Sequence, residues 1–528
     1  MPSETSAAPP DLKTAYHTGA LADFFELRAG DLDAALELPR PAERQRLVAA
    51  LERHARRLGA SQATLDNIAR LADPAARTVV TGQQTGLLLG PTYTLSKAMT
   101  AVRLAAELDS SARPVIPVFW LASQDHDVEE IDHAYLLDGS ETIRYVKVDL
   151  PDGVSVGRSA FERRMLSAVR ESFASHSPRP RFEAEVLASL DSAAELASSF
   201  ADWFAAQLYD LLGDTGIVLL DPLEPGIAEL FAPLFERELD DPSAGPSAIN
   251  VAGERLRDLG YKPQLGRGAG ATNLFIELDE GATGPGKRAL LRISGRGFVA
   301  DGHEFSKADL LARLSADPTA ITPAAGLRPT TQDHILPTSV FVVGPGELAY
   351  VAQLAGVYRL HDVPMPLVWP RATATVLEPA ASRLLGRFGV DAADFQADPL
   401  GLIESVLLTR HGHAAAFGKA SGELALAMET LLAEVDGIDP TLAGTVNRGR
   451  GHLEATITRL RGKSAAALAR KDSDSKRQIE RLRAHLLPQG QPAERFLSPY
   501  SHILKFGRAA VLERFRNLEP SGQQELRL

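Results

Sequence analysis

The chain has 528 residues, 45% of them hydrophobic, and a formal net charge of -12 from 56 basic and 68 acidic side chains. A sizeable core is easily buried at this length, roughly two to four structural units are implied, and the acidic balance argues against nucleic acid as a partner and for small molecules. There are no cysteines, which excludes disulfides, thiolate metal sites and a cysteine nucleophile and fits a reducing compartment.

The opening stretch MPSETSAAPPDLKTAYHTG has no positive region followed by an apolar run, so no signal peptide is visible. Residues 1–75 read as a helical segment, with Leu47, Leu51 and Leu58 at near-helical spacing. A strand at Thr78–Thr81 then enters GQQTGLLLGPTYTLSK, a glycine-rich loop feeding a helix from about Thr92 to Leu108. A second strand covers Pro114–Ala122. Strand, loop, helix and strand in that order make a right-handed unit of a parallel sheet. GIVLLD (Gly216–Asp221), VFVVG (Val340–Gly344) and MPLVWP (Met365–Pro370) are short apolar runs bounded by turn residues, as buried parallel strands are. YVKVDLPDGVSVG reads as an antiparallel excursion and NLFIELDE…KRALLRISGRG as a hairpin with a long loop. The expectation is an α/β, Rossmann-like parallel-sheet core over residues 76–400, with insertions near 140–200 and 245–320.

The last quarter differs. Leu424, Met428, Leu431, Val435 and Ile438 follow the spacing of a coiled-coil seam, GIDP stops that helix, and a second long helix carries Leu453, Ile457, Leu460, Ile479, Leu482 and Leu486. Residues 401–490 are therefore expected to form a helical coiled-coil arm, either folded on the core or serving as a homodimer contact. Residues 491–528 return to the core. No apolar stretch reaches the roughly 20 residues needed to cross a bilayer, so a cytoplasmic protein without a membrane partner is expected.

Three constellations can carry chemistry. In Thr81–Lys97, Gly86 and Gly90 let the backbone approach a ligand, and Pro91 suits a first helical turn. The helix start offers N–H groups to a phosphate or carboxylate. Gln83, Gln84, Tyr93 and Lys97 converge on the same turn; the bland alternative is a tight connection with an exposed lysine. In Pro117–His133, Asp125, His126, Asp127, Glu129, Glu130, Asp132 and His133 crowd the region just beyond a buried strand. Ligands of open α/β sheets sit beyond such strand ends. A histidine flanked by carboxylates suits proton transfer. Asp125, Asp127, Glu130 and His133 also suit a divalent ion, and Asp125 suits a helix cap. In the third constellation, Arg328 can grip a carboxylate or phosphate. Gly344 and Gly346 repeat the strand-glycine-helix pattern with Glu347 and Tyr350 in the next turn, and Arg371 follows another strand. Two decoys fall away. GATGPGKR (Gly281–Arg288) has Arg288 where a P-loop needs Ser or Thr, and a strand follows it. GRGAG (Gly266–Gly270) precedes a strand rather than opening a helix.

TGQQTGLLLGPTYTLSK, PVFWLASQDHDVEEIDH, LRPTTQDHILPTSVFVVGPGELAYVAQL, MPLVWPRATAT and QPAERFLSPYSHILKFG, in that order, resemble the bacillithiol-biosynthesis cysteine-adding enzymes. Gln124 and Asp132 depart from the family pattern, which carries an acid and an asparagine there. The resemblance implies a core like that of class I aminoacyl-tRNA synthetases, with inserted connecting regions and a dimer-forming coiled coil. It implies a ligase joining cysteine to the amine of glucosaminyl-malate, with Gln83–Lys97 as the glycine-rich loop and Trp120–His133 as the Asp-His-Asp segment. Asp125, His126, Asp127 and Lys97 are the expected catalytic residues; no metal ligands are assigned. Amide formation needs an activated carboxyl, so ATP or another nucleotide is compatible, and the cofactor stays open. The alternative reading is a metal-dependent hydrolase of a small amide or sugar conjugate, built on Asp125, Asp127 and His133.

Overall fold

The computed structural model describes residues 10–40, 42–278 and 286–528; the first nine residues and the Gly281–Pro285 part of the dismissed P-loop lie outside them. The described chain forms two compact units. One takes the residues up to Ser140, Arg144–Ala374 and Leu497–Gln524; the other takes Glu141–Ile143, Thr375–Phe496 and Glu525–Leu528.

In chain order the strands that matter are β1 (Arg77–Gln83), β2 (Val115–Leu121), β3 (His133–Leu137), β4 (Ile143–Lys147), β5 (Val218–Leu220), β6 (Ala271–Glu277), β7 (Arg288–Ser294), β8 (Gly297–Ala300), β9 (His303–Phe305), β10 (Ile321–Pro323), β11 (Thr338–Val343) and β12 (Leu367–Pro370). The first unit is built on a five-stranded sheet in the order β12-β11-β1-β2-β5, with every neighbouring pair parallel. This is the expected α/β core with a Rossmann-like parallel sheet. The chain leaves β1 toward β2 and β5, then returns to lay β11 and β12 on the other side. A topological switch point therefore lies between β1 and β11, where the crevice at the strand ends opens.

The strands are apolar on both faces, and helices cover them. Val79, Val115, Val340, Val342 and Leu367 form one buried cluster with Ala101, Leu104 and Ala105 of the helix Tyr93–Leu108. Successive side chains of a strand point to opposite faces: Phe119 meets Phe204 of the helix Phe200–Leu212, and the next residue, Trp120, meets Phe231. Leu47, Leu51 and Leu58, the stripe seen in the sequence, are all fully buried.

The segment read as a hairpin is one: β6 and β7 pair antiparallel inside a second sheet of order β10-β6-β7-β8-β9. The YVKVD segment supplies β4, which pairs with β3 alone. The second unit is helical. Its longest helices are Ala414–Ile438 and Ala443–Lys471, joined by a short turn at Pro440–Leu442. Met428 is buried, but Leu426, Leu431, Ile438, Leu442, Leu453 and Leu460 are exposed. Glu141 is held by Arg481 and His485, which lower its carboxyl pKa to about 2.

Candidate active site

The crevice begins where β1 ends. Gly82 lies so close to β2 that a Cβ there would stand 2.8 Å from the Trp120 carbonyl oxygen, so only glycine lets the two strands run together at this point. The next two residues diverge in what they reach. Gln83 donates to the Tyr93 hydroxyl at 3.1 Å and accepts from Lys97 Nζ at 2.9 Å. Gln84 donates to Asp125 Oδ2 at 2.9 Å and to Glu130. One strand tip therefore joins the lysine cluster to the acid-histidine cluster.

Lys97 is buried, at 4% exposure. Its ammonium donates to the Gly82 carbonyl at 2.8 Å and pairs with Glu347, whose carboxylate also accepts the Gly344 N–H at 2.7 Å. Burial pushes the Lys97 pKa down, and Glu347 opposes that shift. The lysine thus ties β1 to the turn after β11 through Gly82, Gln83 and Glu347, and is not the exposed lysine of the bland alternative. Arg371 lies with its guanidinium carbon 5.3 Å from the Tyr93 ring. Arg328 donates to the Tyr350 hydroxyl at 3.1 Å and lies 5.9 Å from the Trp120 ring. Burial opposes its charge, but Tyr350 and Glu347 outweigh that and raise its pKa. Gly346 is exposed, and a side chain there would meet nothing within 4 Å, so this position has no steric need for glycine.

The loop between β1 and the following helix differs from its sequence reading in two ways. Leu88 and Leu89, at φ 51° and 64°, join Gly90 in the left-handed region, which side chains avoid unless the surroundings impose it. All three are buried, and the Leu88 carbonyl accepts from Ser498. Gly86 serves close approach, its would-be Cβ lying 3.3 Å from the Gly90 Cα. At the helix start beyond Pro91, the Thr92 N–H and hydroxyl both donate to the Leu497 carbonyl, at 2.8 and 2.7 Å, which commits these two donors within the protein.

The loop after β2 carries the second half of the site. Asp125 Oδ1 accepts the N–H groups of His126 and Asp127 at 2.8 and 3.2 Å, which fixes the turn. The helix it was expected to cap is four residues long, Val128–Ile131, and begins after Asp127. His126 Nδ1 faces Arg288 at 3.0 Å. Arginine only donates, so Nδ1 accepts and the proton of a neutral ring sits on Nε2. Burial first, then the Arg288 charge, hold the His126 pKa below its ordinary value. Arg288 itself is lowered to about 10 by burial, which leaves it charged at neutral pH. It also bonds Thr322 and the Pro323 carbonyl and stacks 4.0 Å from Phe275. Sequence reasoning missed this residue by setting it aside with the false P-loop. The signal available was alternation: Arg288 opens a returning strand in which every second residue shares its face.

Other expected members lie apart. His133 pairs with Asp132 at 3.1 Å and meets Tyr135 edge to face, in company with Lys147 and Tyr145. Asp127 and Glu130 are exposed. Among the described residues, the one group of His and acids close enough to share a metal is His54, Asp202 and Asp221. The hydrolase reading on Asp125, Asp127 and His133 therefore loses its ligand geometry.

Two family models cover this architecture from end to end: the N-terminal Rossmann-like domain of bacillithiol biosynthesis BshC matches residues 7–372, and its C-terminal coiled-coil domain matches residues 374–526. The chain belongs to the BshC family. Relatives named "Putative cysteine ligase BshC" include that of Salinibacter ruber, 33% identical over 97% of this chain and 94% of the relative. One from Thermus thermophilus is 38% identical over 88% of this chain and 90% of the relative. That of Heliobacterium modesticaldum is 32% identical over 92% and 89%. BshC proteins are thus named as ligases of bacillithiol biosynthesis. A solved chain described as a "putative arginyl t-RNA synthetase" from Campylobacter jejuni aligns over 85% of this chain and 94% of its own length. At 12% identity and a TM-score of 0.20 it carries no argument.

Proposed function

We propose that the protein joins the carboxyl of L-cysteine to the amine of glucosaminyl-malate, the last step of bacillithiol biosynthesis, in the crevice between β1 and β11. Membership of the BshC family supports the reaction class. The observation that carries the site is the run of contacts from Lys97 through Gln83 and Gln84 to Asp125, His126 and Arg288.

Arg328 and Arg371 supply cationic groups for the carboxylates of the substrates. The cysteine carbonyl, already activated, is attacked by the sugar amine; the new C–N bond forms as the leaving group departs. Arg288 occupies His126 Nδ1, so His126 serves as an Nε2–H donor to the developing oxyanion. Asp125 is then the base that takes the amine proton, held by Gln84 and two backbone N–H groups in one orientation. Lys97 positions rather than reacts. ATP or another nucleotide remains our candidate for the activating co-substrate, met by the arginines. The chain's lack of cysteine leaves it no thiol to form mixed disulfides with substrate or product, and we place the protein in the cytoplasm, where its substrates stay reduced. We also propose a homodimer through the helical arm, because the leucines left exposed along it form a seam that a second copy can cover.

Incubation with cysteine and glucosaminyl-malate, with and without ATP, tests the reading by product mass. Bacillithiol formed only with ATP supports both parts. Formation without any nucleotide removes the nucleotide and leaves the ligase. No product under either condition, from folded protein given both substrates and ATP, removes the assignment.

A further inference from the structure

A second polar cluster lies at the strand ends, beyond β5. His54 comes from the helix Arg44–Arg57, Asp202 from the first turn of the helix Phe200–Leu212, and Asp221 from the residue that follows β5. Their exposures are 2%, 3% and 8%. A ligand atom from each lies within 4.8 Å of the other two. Both ring nitrogens of His54 are buried without a hydrogen-bond partner. A buried polar atom left unpaired costs about 1–3 kcal/mol, and this ring carries two of them against a pair of carboxylates.

We propose that His54, Asp202 and Asp221 form a site for one divalent transition-metal ion, of the class that takes imidazole and carboxylate ligands. An imidazole with two carboxylates matches the donor preference of zinc and its neighbours, and small inward movements bring the atoms to bonding range. Burial favours the neutral ring, whose unprotonated nitrogen offers a lone pair to an ion. Asp221 Oδ1 already accepts from Leu223 N–H at 2.8 Å and from the Ser123 hydroxyl, which leaves Oδ2 for the ion. Asp202 is fixed by Arg57 through two bonds of 2.7 and 2.8 Å and by Ser198 and Ser199. It reaches the ion with a remaining lone pair, and Arg57 acts as the outer neighbour that orients a ligand. The ion offsets the buried Asp221 carboxylate, adds to the charge that Arg57 already sets against Asp202, and satisfies the imidazole. It also ties both helices to the β5 end and, through Asp221 and Ser123, to the loop that carries Asp125 and His126.

The site is tested on full-length, chelator-treated protein with zinc chloride alone, and separately with cobalt chloride. Wild type is expected to bind one equivalent of zinc with at least about tenfold higher affinity than Asp221→Asn or His54→Leu. Cobalt is expected to give a visible absorption band that both variants lose, and zinc to raise the Tm of wild type but not of His54→Leu. His54→Leu replaces an unpaired ring with an apolar group of similar size, so it is expected to fold. Asp221→Asn keeps the side-chain shape as a second check. Equal zinc affinity and equal cobalt spectra in wild type and both folded variants would overturn the site, as would the absence of a stoichiometric ion in wild type. The readouts are independent of ligase activity, so a failed ligase assay leaves this result standing.

Discussion

At the residue scale, the proposed chemistry depends on which nitrogen of His126 carries the proton, and Arg288 decides that. Removing the guanidinium in Arg288→Gln takes away a nearby positive charge, so the His126 pKa rises; histidine-labelled NMR titration is expected to show the shift, and an unchanged pKa contradicts the contact. Asp125→Asn keeps the shape and the turn but removes the proposed base. A loss of about 10²–10⁴-fold in kcat with little change in KM is expected from steady-state assays. His54 gives a stability signature. Its folded pKa of about 4 lies below the ordinary 6.5, so stability is lost as pH falls through that window, where the unfolded chain binds the proton and the folded chain does not. In chelator-treated protein, urea unfolding is expected to show His54→Leu gaining about 2 kcal/mol more at pH 5 than at pH 8, from about 1.4 kcal/mol per pKa unit. An equal gain at both values contradicts a neutral buried ring.

At the scale of elements, the crevice is set by how closely β1 approaches β2. Gly82→Ala forces a methyl group against the Trp120 backbone, and an overpacked contact of this kind costs about 1–3 kcal/mol, measurable by urea denaturation. The strands of the parallel sheet were legible in the sequence, because short apolar runs between turn signals have few other uses. The approach of β6 and β7 was legible for the same reason. The left-handed Leu88 and Leu89 were not, since nothing in their side chains announces a conformation that the fold imposes. The bonds from Thr92 to the Leu497 carbonyl were also hidden, because they form a contact across some four hundred residues of chain. Arg288 shows a further limit: its motif context was weighed, but its partner came from a loop far away in sequence. The cluster of His54, Asp202 and Asp221 has no local spacing at all, each group arriving from a different element.

At the scale of the whole molecule, a parallel sheet with a switch point between β1 and β11 collects the tips of its strands into one crevice, and a helical unit leaves apolar side chains in water. Leu431→Asp with Leu453→Asp is expected to shift the proposed dimer to monomer in light scattering after size exclusion, with the fold unchanged by circular dichroism. A wild-type monomer contradicts the seam. The central claim is that the crevice carrying Asp125 and His126 makes the cysteinyl amide. The most direct measurement is single-turnover formation of bacillithiol from labelled cysteine and glucosaminyl-malate, with ATP present, followed by mass for wild type and Asp125→Asn. The account predicts product in the wild type and a rate lowered by at least about a hundredfold in a folded variant. Equal rates in the two proteins would contradict it.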